Sequence, residues 1–462
     1  MSVSPTIVQA LRSKMLGAVH GAGDAGYDDR RRVWNGAIDR RPCAIACCAD
    51  TPDVQHALRA AREHGLQVTV RGGGHNVAGL AVVDGALLVD LSDMRSVHVD
   101  ATRRIVRIAG GALWSDVDAA TAVSGLATTG GLISSTGVGG FTLGGGAGWL
   151  MRRHGLACDN LVGAQLVLAD GSLVRVDAAT QPDLFWALRG GAGGLGVVTS
   201  FELRLHPVAQ VLAGLLVFDG AQAAAVIRHF RDVVADAPDE CCAMVALASA
   251  PPLPFLASDW HGRTVCIVAV CCNGDAAIGE RFVDRLRGAG VPLADHVGPM
   301  PYVEWQQKLD PSAPPGRQQY WKNLNFERLD DEAIDVLAKA ALGRPTPFTE
   351  LHVQHMGGAV ARVPAAETAF FQRHSRYFIN LLGATTEPSE FSGLRTWIRA
   401  LSDRLATYAL PGRMPNFSDG DDPDAADRTG DDRARRLQAL RARGDPDGLF
   451  ANPRQAAAAR GS

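Results

Sequence analysis

Fifty-one of the 462 residues are glycine, well above the ~7% of an average chain. The excess is bunched between residues 72 and 196 instead of spread through linkers. Glycine costs backbone entropy on folding, so packing it into one region needs a reason: tight turns, or a backbone that comes close to a ligand. The clusters fall at 72–74, 130–131, 137–140, 144–148 and 191–196.

The rest of the composition narrows the class. A hydrophobic share of 47% and a charged share of 21% are globular values, which excludes disordered and fibrous chains. Lys+Arg number 46 against 49 Asp+Glu, a net charge of −3, so no basic face for nucleic acid is expected. No apolar run reaches the ~18–20 residues of a membrane span. The N-terminus MSVSPTIVQALRSKMLG lacks a secretory pattern, and a soluble, cytoplasmic protein is expected. The nine cysteines include the adjacent pairs Cys47-Cys48, Cys241-Cys242 and Cys271-Cys272 without CxxC spacing. They read as buried, reduced thiols. No HExxH, calcium-loop or GxSxG pattern occurs, so neither a metal site nor a serine nucleophile is expected.

Along the chain, Ala44–Cys48 has strand length, and Thr51-Pro52 reads as a helix start leading to an apolar face at Val54, Ala57, Leu58 and Ala61. Strands are expected at 67–70, 86–91, 105–109, 161–169, 172–177 and 197–205, with helices at 115–124 and 182–189. Residues 126–160 read as loop and turn. A second unit should hold strands near 212–218, 243–248, 264–270 and 350–356. Its helices should lie at 221–235, 275–288, 330–341 and 394–405. An acidic, turn-rich stretch at 418–434 leads to a last helix at 433–443 and a disordered Ala-rich tail at 456–462.

Two loops invite a ligand. Arg71-Gly72-Gly73-Gly74-His75 follows a strand directly, and three glycines expose successive N–H groups suited to a pyrophosphate. The alternative is a glycine-rich turn with an ordinary His75. Gly137-Val138-Gly139-Gly140-Phe141-Thr142-Leu143-Gly144-Gly145-Gly146 lies some sixty residues on and could meet the same extended cofactor from its ring side. The GxGxxG match at 191–196 has a helix before it and a strand after it, the reverse of a Rossmann loop.

Arg71–His75, Asp84–Leu91, Gly137–Gly148, Gly155–Asn160 (GLACDN), Asp183–Gly191 (DLFWALRGG) and Gly196–Phe201 (GVVTSF) occur together in an order and spacing that resembles the FAD-binding domain of the vanillyl-alcohol-oxidase superfamily. The resemblance is strongest to the berberine-bridge-enzyme-like oxidases and continues more loosely through Met356–Pro364 to Leu449-Phe450. It implies an α+β fold: a two-subdomain PCMH-type FAD-binding domain and an α+β substrate domain on an antiparallel sheet. The expected units are an N-terminal helical segment 1–37, the FAD domain 38–207, the substrate domain 208–405 and a C-terminal segment 406–455 returning to the FAD domain.

The resemblance also implies FAD contacts. They come first from Arg71, Gly72, Gly73, Gly74, His75, Asn76 and Gly79. Around the second loop they come from Gly131, Thr136, Gly137, Gly139, Gly140, Gly144, Gly145, Gly148 and Trp149. Gly155, Asp159, Asn160, Gly196, Val197, Val198 and Asn416 complete the set. His75 matches the histidine bonded to the flavin 8α-methyl. The position of a second, cysteinyl bond is Ile133, and Cys158 is a poor substitute, so one covalent link is expected, as in 6-hydroxy-D-nicotine-oxidase-like members. A bound imidazole withdraws electrons from the isoalloxazine and should raise its reduction potential. Thr136 matches a position at the flavin edge where oxygen reactivity is tuned.

The family's usual catalytic bases are missing: the matching positions are Arg362 and Met414. Removing the O–H proton greatly assists hydride loss from an alcohol, whereas a neutral amine needs no base. The alternating strand Glu350–Met356 would put Glu350, His352 and Gln354 on one face. Tyr320 and Tyr377 are further candidates, and each could instead be an ordinary sheet or core residue. Three functions remain in view: an oxidase passing hydride from a small organic substrate to flavin and on to O2, giving H2O2; an oxygenase or oxidative cyclase of natural-product biosynthesis; and a catalytically silent flavin-binding protein. The chain could act as a monomer or a homodimer.

Overall fold

The computed structural model describes residues 5–421 and 432–451; the tail expected at 456–462 and most of the acidic stretch lie outside them. Three large sheets organise the described residues, with a two-stranded ribbon of Leu126–Ala127 and His206–Pro207 beside them. The first runs Val19–Gly21, Ala44–Cys47, Leu87–Asp90, Val68–Arg71, its last three strands parallel. Its crossover helix is Thr51–Glu63. Asp50, not Thr51, caps that helix by accepting from Asp53 N, because a carboxylate at this position complements both the orphan N–H and the helix dipole.

The second sheet is antiparallel, in the order Val97–Asp100, Ile105–Ala109, Val197–Arg204, Leu161–Val167, Leu173–Val176. Between its strands lies the glycine-rich stretch 126–160, which is not all loop: Val138–Leu143 and Met151–His154 are short helices. Glycines at 139 and 140 hid the first of these from a propensity reading.

The third sheet has seven antiparallel strands in the order Ala294–Pro301, Gln210–Asp219, Thr264–Cys272, Cys241–Ser249, Glu350–His355, Tyr377–Thr385, Gln318–Phe326. Four helices, Ala223–Val234, Ala276–Arg287, Asp331–Leu342 and Phe391–Ala406, bury Ile227, Phe282, Leu337 and Ile398 on one face. The opposite face packs Val211, Met244 and Ile267 against Trp149, Leu150 and Met151 of the first half. A sheet covered on both sides needs apolar residues at every position, which is why Thr264–Cys272 reads TVCIVAVCC. Cys241 and Cys242 stand opposite Cys272 and Cys271. All nine cysteines are buried and free, and burial pushes the Cys242 thiol up to about 12.

Three strands of this sheet escape a pattern reading. Ala294–Pro301 carries two prolines and survives because it is an edge strand. Gln318–Phe326 carries Gln319, Asn323 and Asn325 on one face, and Tyr377–Thr385 carries Asn380, for a reason the site explains. At the far end, Leu449–Ala451 pairs with Val68 of the first sheet.

Candidate active site

A cavity of about 1140 Å³ lies between the glycine loops and the third sheet, larger than the ~300–1,000 Å³ of an ordinary small-ligand pocket. Its floor is backbone. Gly73 and Gly137 touch each other: a Cβ on Gly73 would fall 2.5 Å from Gly137 N, and one on Gly137 would fall 2.3 Å from Gly73 N. Any side chain at either position would drive the two loops apart. Gly139 and Gly140 sit in the first turn of the 138–143 helix, where N–H groups lack intrahelical partners, and both face the cavity.

His75 stands at one end of this floor. Its ring stacks on Trp34 with centroids 4.7 Å apart and planes 19° apart, and its Nε2 lies 2.9 Å from Ser135 Oγ. Burial lowers its pKa to about 4, so the imidazole is neutral at physiological pH. Trp34 is fixed by Nε1 donating to Ala313 O and by an edge contact to Trp321.

The opposite wall is the polar face of the third sheet. Strand alternation brings Glu350, His352 and Gln354 to the cavity beside Gln319, Trp321, Asn380 and Leu382, while Leu351 and Val353 enter the helix-covered core. His352 Nε2 lies 2.7 Å from Glu350 Oε2. Behind the wall, Asn323 Nδ2 donates to Asn380 Oδ1 at 2.8 Å, and Asn323 Oδ1 accepts from Asn325 and from Met414 N. At the rim, Arg317 lies 4.1 Å over the Phe348 ring and donates to Ser312 O.

Of the residues expected at FAD, Gly72, Gly73, Gly74, His75, Asn76, Gly131, Thr136, Gly137, Gly139, Gly140, Gly144, Gly196, Val198 and Asn416 line this cavity. Others lie behind it and serve the scaffold. Arg71 pairs with buried Asp90 and donates to Arg32 O, bracing the loop from below. Gly79 sits at φ +64 against Ile38. Gly145 accommodates Phe370, and Gly148 abuts Gly130 O. Trp149 packs on Trp305, and Val197 is in the core of the first sheet. Gly155, at φ +79, lies against Asp159. Asp159 holds Arg373 through two bonds of 2.7 and 2.6 Å, and Asn160 ties His154 O, Leu156 O and His206 together.

The alternative bases separate just as clearly. Tyr320 has the parity opposite to Gln319 and Trp321, so its ring enters the helix-covered core and its hydroxyl is held by Arg399 and Asp421; burial raises its pKa. Tyr377 likewise enters the helix-covered core. Arg362 forms a surface ion pair with Asp239, and Met414 is fully buried. Ile133 lines the cavity, whereas Cys158 is sealed in the core with its thiol pushed up by burial.

The site also recruits residues that sequence reasoning passed over. Trp34, Arg317, Trp321 and Phe348 arrive from distant segments and carry no motif, while Ser135 adjoins the Gly137 loop and was passed over beside Thr136. Arg441, on the helix 432–444, donates to the carbonyls of Gly191, Ala192 and Gly193 and so pins the GxGxxG loop. Its helix is Arg-rich throughout, and nothing in that pattern marks one arginine.

Clustered glycine backbone on one wall, a cavity of this volume and a neutral imidazole beside it fit an extended dinucleotide with a flat ring. Residues 42–177 match the family described as FAD binding domain. The chain is 34% identical over 284 residues, 61% of its length and 60% of the other, to the (R)-6-hydroxynicotine oxidase of Paenarthrobacter nicotinovorans. It is 28% identical over 423 residues, 90% of each chain, to an FAD-linked oxidoreductase of Dictyostelium discoideum. Among solved structures, 6-hydroxy-D-nicotine oxidase from Arthrobacter nicotinovorans superposes with a TM-score of 0.82 at 26% identity, covering 94% of this chain and 96% of that one. The BBE-like 1 protein of Physcomitrella patens gives 0.86 at 22%, covering 97% and 98%. Glucooligosaccharide oxidase from Acremonium strictum, described with a 6-S-cysteinyl, 8α-N1-histidyl FAD, gives 0.83 at 24%, covering 96% and 98%.

The fold is that of the BBE-like flavoproteins, with a two-subdomain FAD-binding part and a substrate part on an antiparallel sheet. The chain is an FAD-linked oxidoreductase. Among its described residues, no helix is long and apolar enough to cross a membrane.

Proposed function

We propose that the protein is an oxidase of a small organic alcohol or phenol-type substrate, with FAD tethered through His75 and dioxygen as the final acceptor. The bound FAD supplies a two-electron acceptor for hydride and passes the electrons to dioxygen. The observation that carries the reading is the Glu350–His352 pair, set on the cavity wall opposite the glycine floor.

A carboxylate accepting from Nε2–H fixes the tautomer of His352 and leaves Nδ1 as a proton acceptor. Hydride departs from an alkoxide far more readily than from an alcohol, so a base at this position accounts for activity without the family's glutamate or tyrosine. Glu350 holds the ring and steadies the imidazolium formed when the proton arrives. Gln354 and Asn380 offer hydrogen bonds that orient the substrate, and Trp321 and Leu382 give it a hydrophobic bed.

The test is anaerobic flavin bleaching against a panel of alcohols, phenols and amines, followed by His352→Gln. Bleaching by an alcohol or phenol that slows about 10²–10⁴-fold in the variant, at unchanged flavin content, supports the reading. Bleaching only by amines, or a variant as fast as wild type, contradicts it.

A further inference from the structure

We propose that Ser135 is a positioning residue for tethering, orienting His75 so that Nδ1 forms the bond to the flavin methyl carbon. The inference rests on His75 being the tether. His75 has two ring nitrogens, and one of them, Nε2, lies 2.9 Å from Ser135 Oγ. When the hydroxyl accepts from Nε2–H, the neutral ring presents its lone pair at Nδ1, the nucleophilic position. Trp34 stacks on the ring face and hinders the flip that would move both nitrogens off these positions.

Ser135 is itself held in place from both sides. Ser134 N and Oγ donate to Asp310 Oδ1 and Oδ2 at 2.7 and 2.6 Å, and Ser134 O accepts from Ser115 N at 2.8 Å. Thr136 O accepts from Trp114 N at 3.0 Å. The backbone on either side is fixed by other partners, which leaves the Ser135 hydroxyl to address His75.

The chemistry balances with dioxygen as oxidant. One C–H bond of the 8-methyl group breaks and one N–C bond forms at Nδ1. The methyl proton and the Nε2 proton leave, and two electrons pass to dioxygen, giving one hydrogen peroxide per tether. As Nδ1 is alkylated, positive charge develops on the ring; the Ser135 oxygen stabilises the Nε2–H of that cation and lies on the exposed side, where its proton can reach water.

Full-length protein is produced under riboflavin limitation, so that part of each preparation is flavin-free, and is then incubated with FAD in air. Acid-insoluble flavin is followed with time, and total bound flavin is measured separately. Ser135→Ala should bind FAD yet tether it about tenfold more slowly than wild type, as expected for loss of one oriented hydrogen bond, and Ser135→Thr should recover most of the rate. The proposal is overturned if Ser135→Ala tethers as fast as wild type, if Ser135→Thr is no better than Ala, or if Ser135→Ala binds no FAD. Acid-insoluble flavin in His75→Ala would overturn the tether itself, a separate result.

Discussion

His352 and Glu350 lie two residues apart on one strand, so the sheet's own periodicity holds them on the same face without any loop to position them. Their separation of 2.7 Å makes the pair a unit, and its two members should respond unequally. Glu350→Gln keeps a hydrogen-bond partner and should cost about tenfold in the rate of flavin reduction, less than His352→Gln, because it removes charge support and not the proton acceptor. Stopped-flow reduction with a common substrate reads both values. A second residue-scale prediction concerns Asp118, which accepts from Gln306 Nε2 at 3.2 Å and whose carboxyl burial raises to about 7. Its folded pKa lies above the unfolded value, so the native state binds the extra proton. Stability should therefore fall as pH rises from about 4 to 7 and level off above. Asp118→Asn should raise Tm at pH 8, with the gain shrinking toward pH 5, as scanning calorimetry across that range would show.

At the scale of elements, the two glycine loops meet so closely that neither tolerates a methyl group. Gly73→Ala places a Cβ 2.5 Å from backbone that cannot rotate away, so the loops must part. The variant should fold with a loss of about 1–3 kcal/mol and retain far less flavin, measured as the absorbance ratio of flavin to protein. Part of this element was readable in advance, since three glycines directly after a strand mark a backbone that comes close to something; that Gly73 meets Gly137 was not. The alternation that brings Glu350, His352 and Gln354 together was readable for the same reason: it depends on a period of two and nothing else. The strand Gln318–Phe326 was not, because Gln319, Asn323 and Asn325 on one face blur the apolar pattern of a buried strand; Tyr377–Thr385, broken only by Asn380, offered that pattern and was passed over. The same alternation separates Tyr320 from the site by one residue of parity.

At the scale of the whole molecule, function depends on two halves meeting across a cavity, and buried arginines join them. Arg373 sits in the core with its guanidinium on Asp159 of the glycine-rich half, and Arg152 donates to Cys241 O, Met356 O and Ala237 O across the same junction. Removing one member of such a buried pair strands the other, so Arg373→Ala should lose about 3–5 kcal/mol in urea unfolding and shed flavin early in the transition. Trp34, Arg317 and Phe348 reach the cavity only through this assembly. Each comes from a segment with no motif of its own, and tertiary packing decides its role, which is why the glycine loops and the alternating strand 350–355 could be read from the chain and these side chains could not.

Digestion after Arg71 and Arg95 releases residues 72–95, the segment that carries His75 but no cysteine, so mass spectrometry of that peptide reads the His75 tether without interference. Peptide 72–95 from the purified, acid-denatured protein should bear one flavin, with the fragment ions placing it on His75. An unmodified peptide 72–95 alongside free flavin, or a flavin on the peptide containing Cys158, would contradict it.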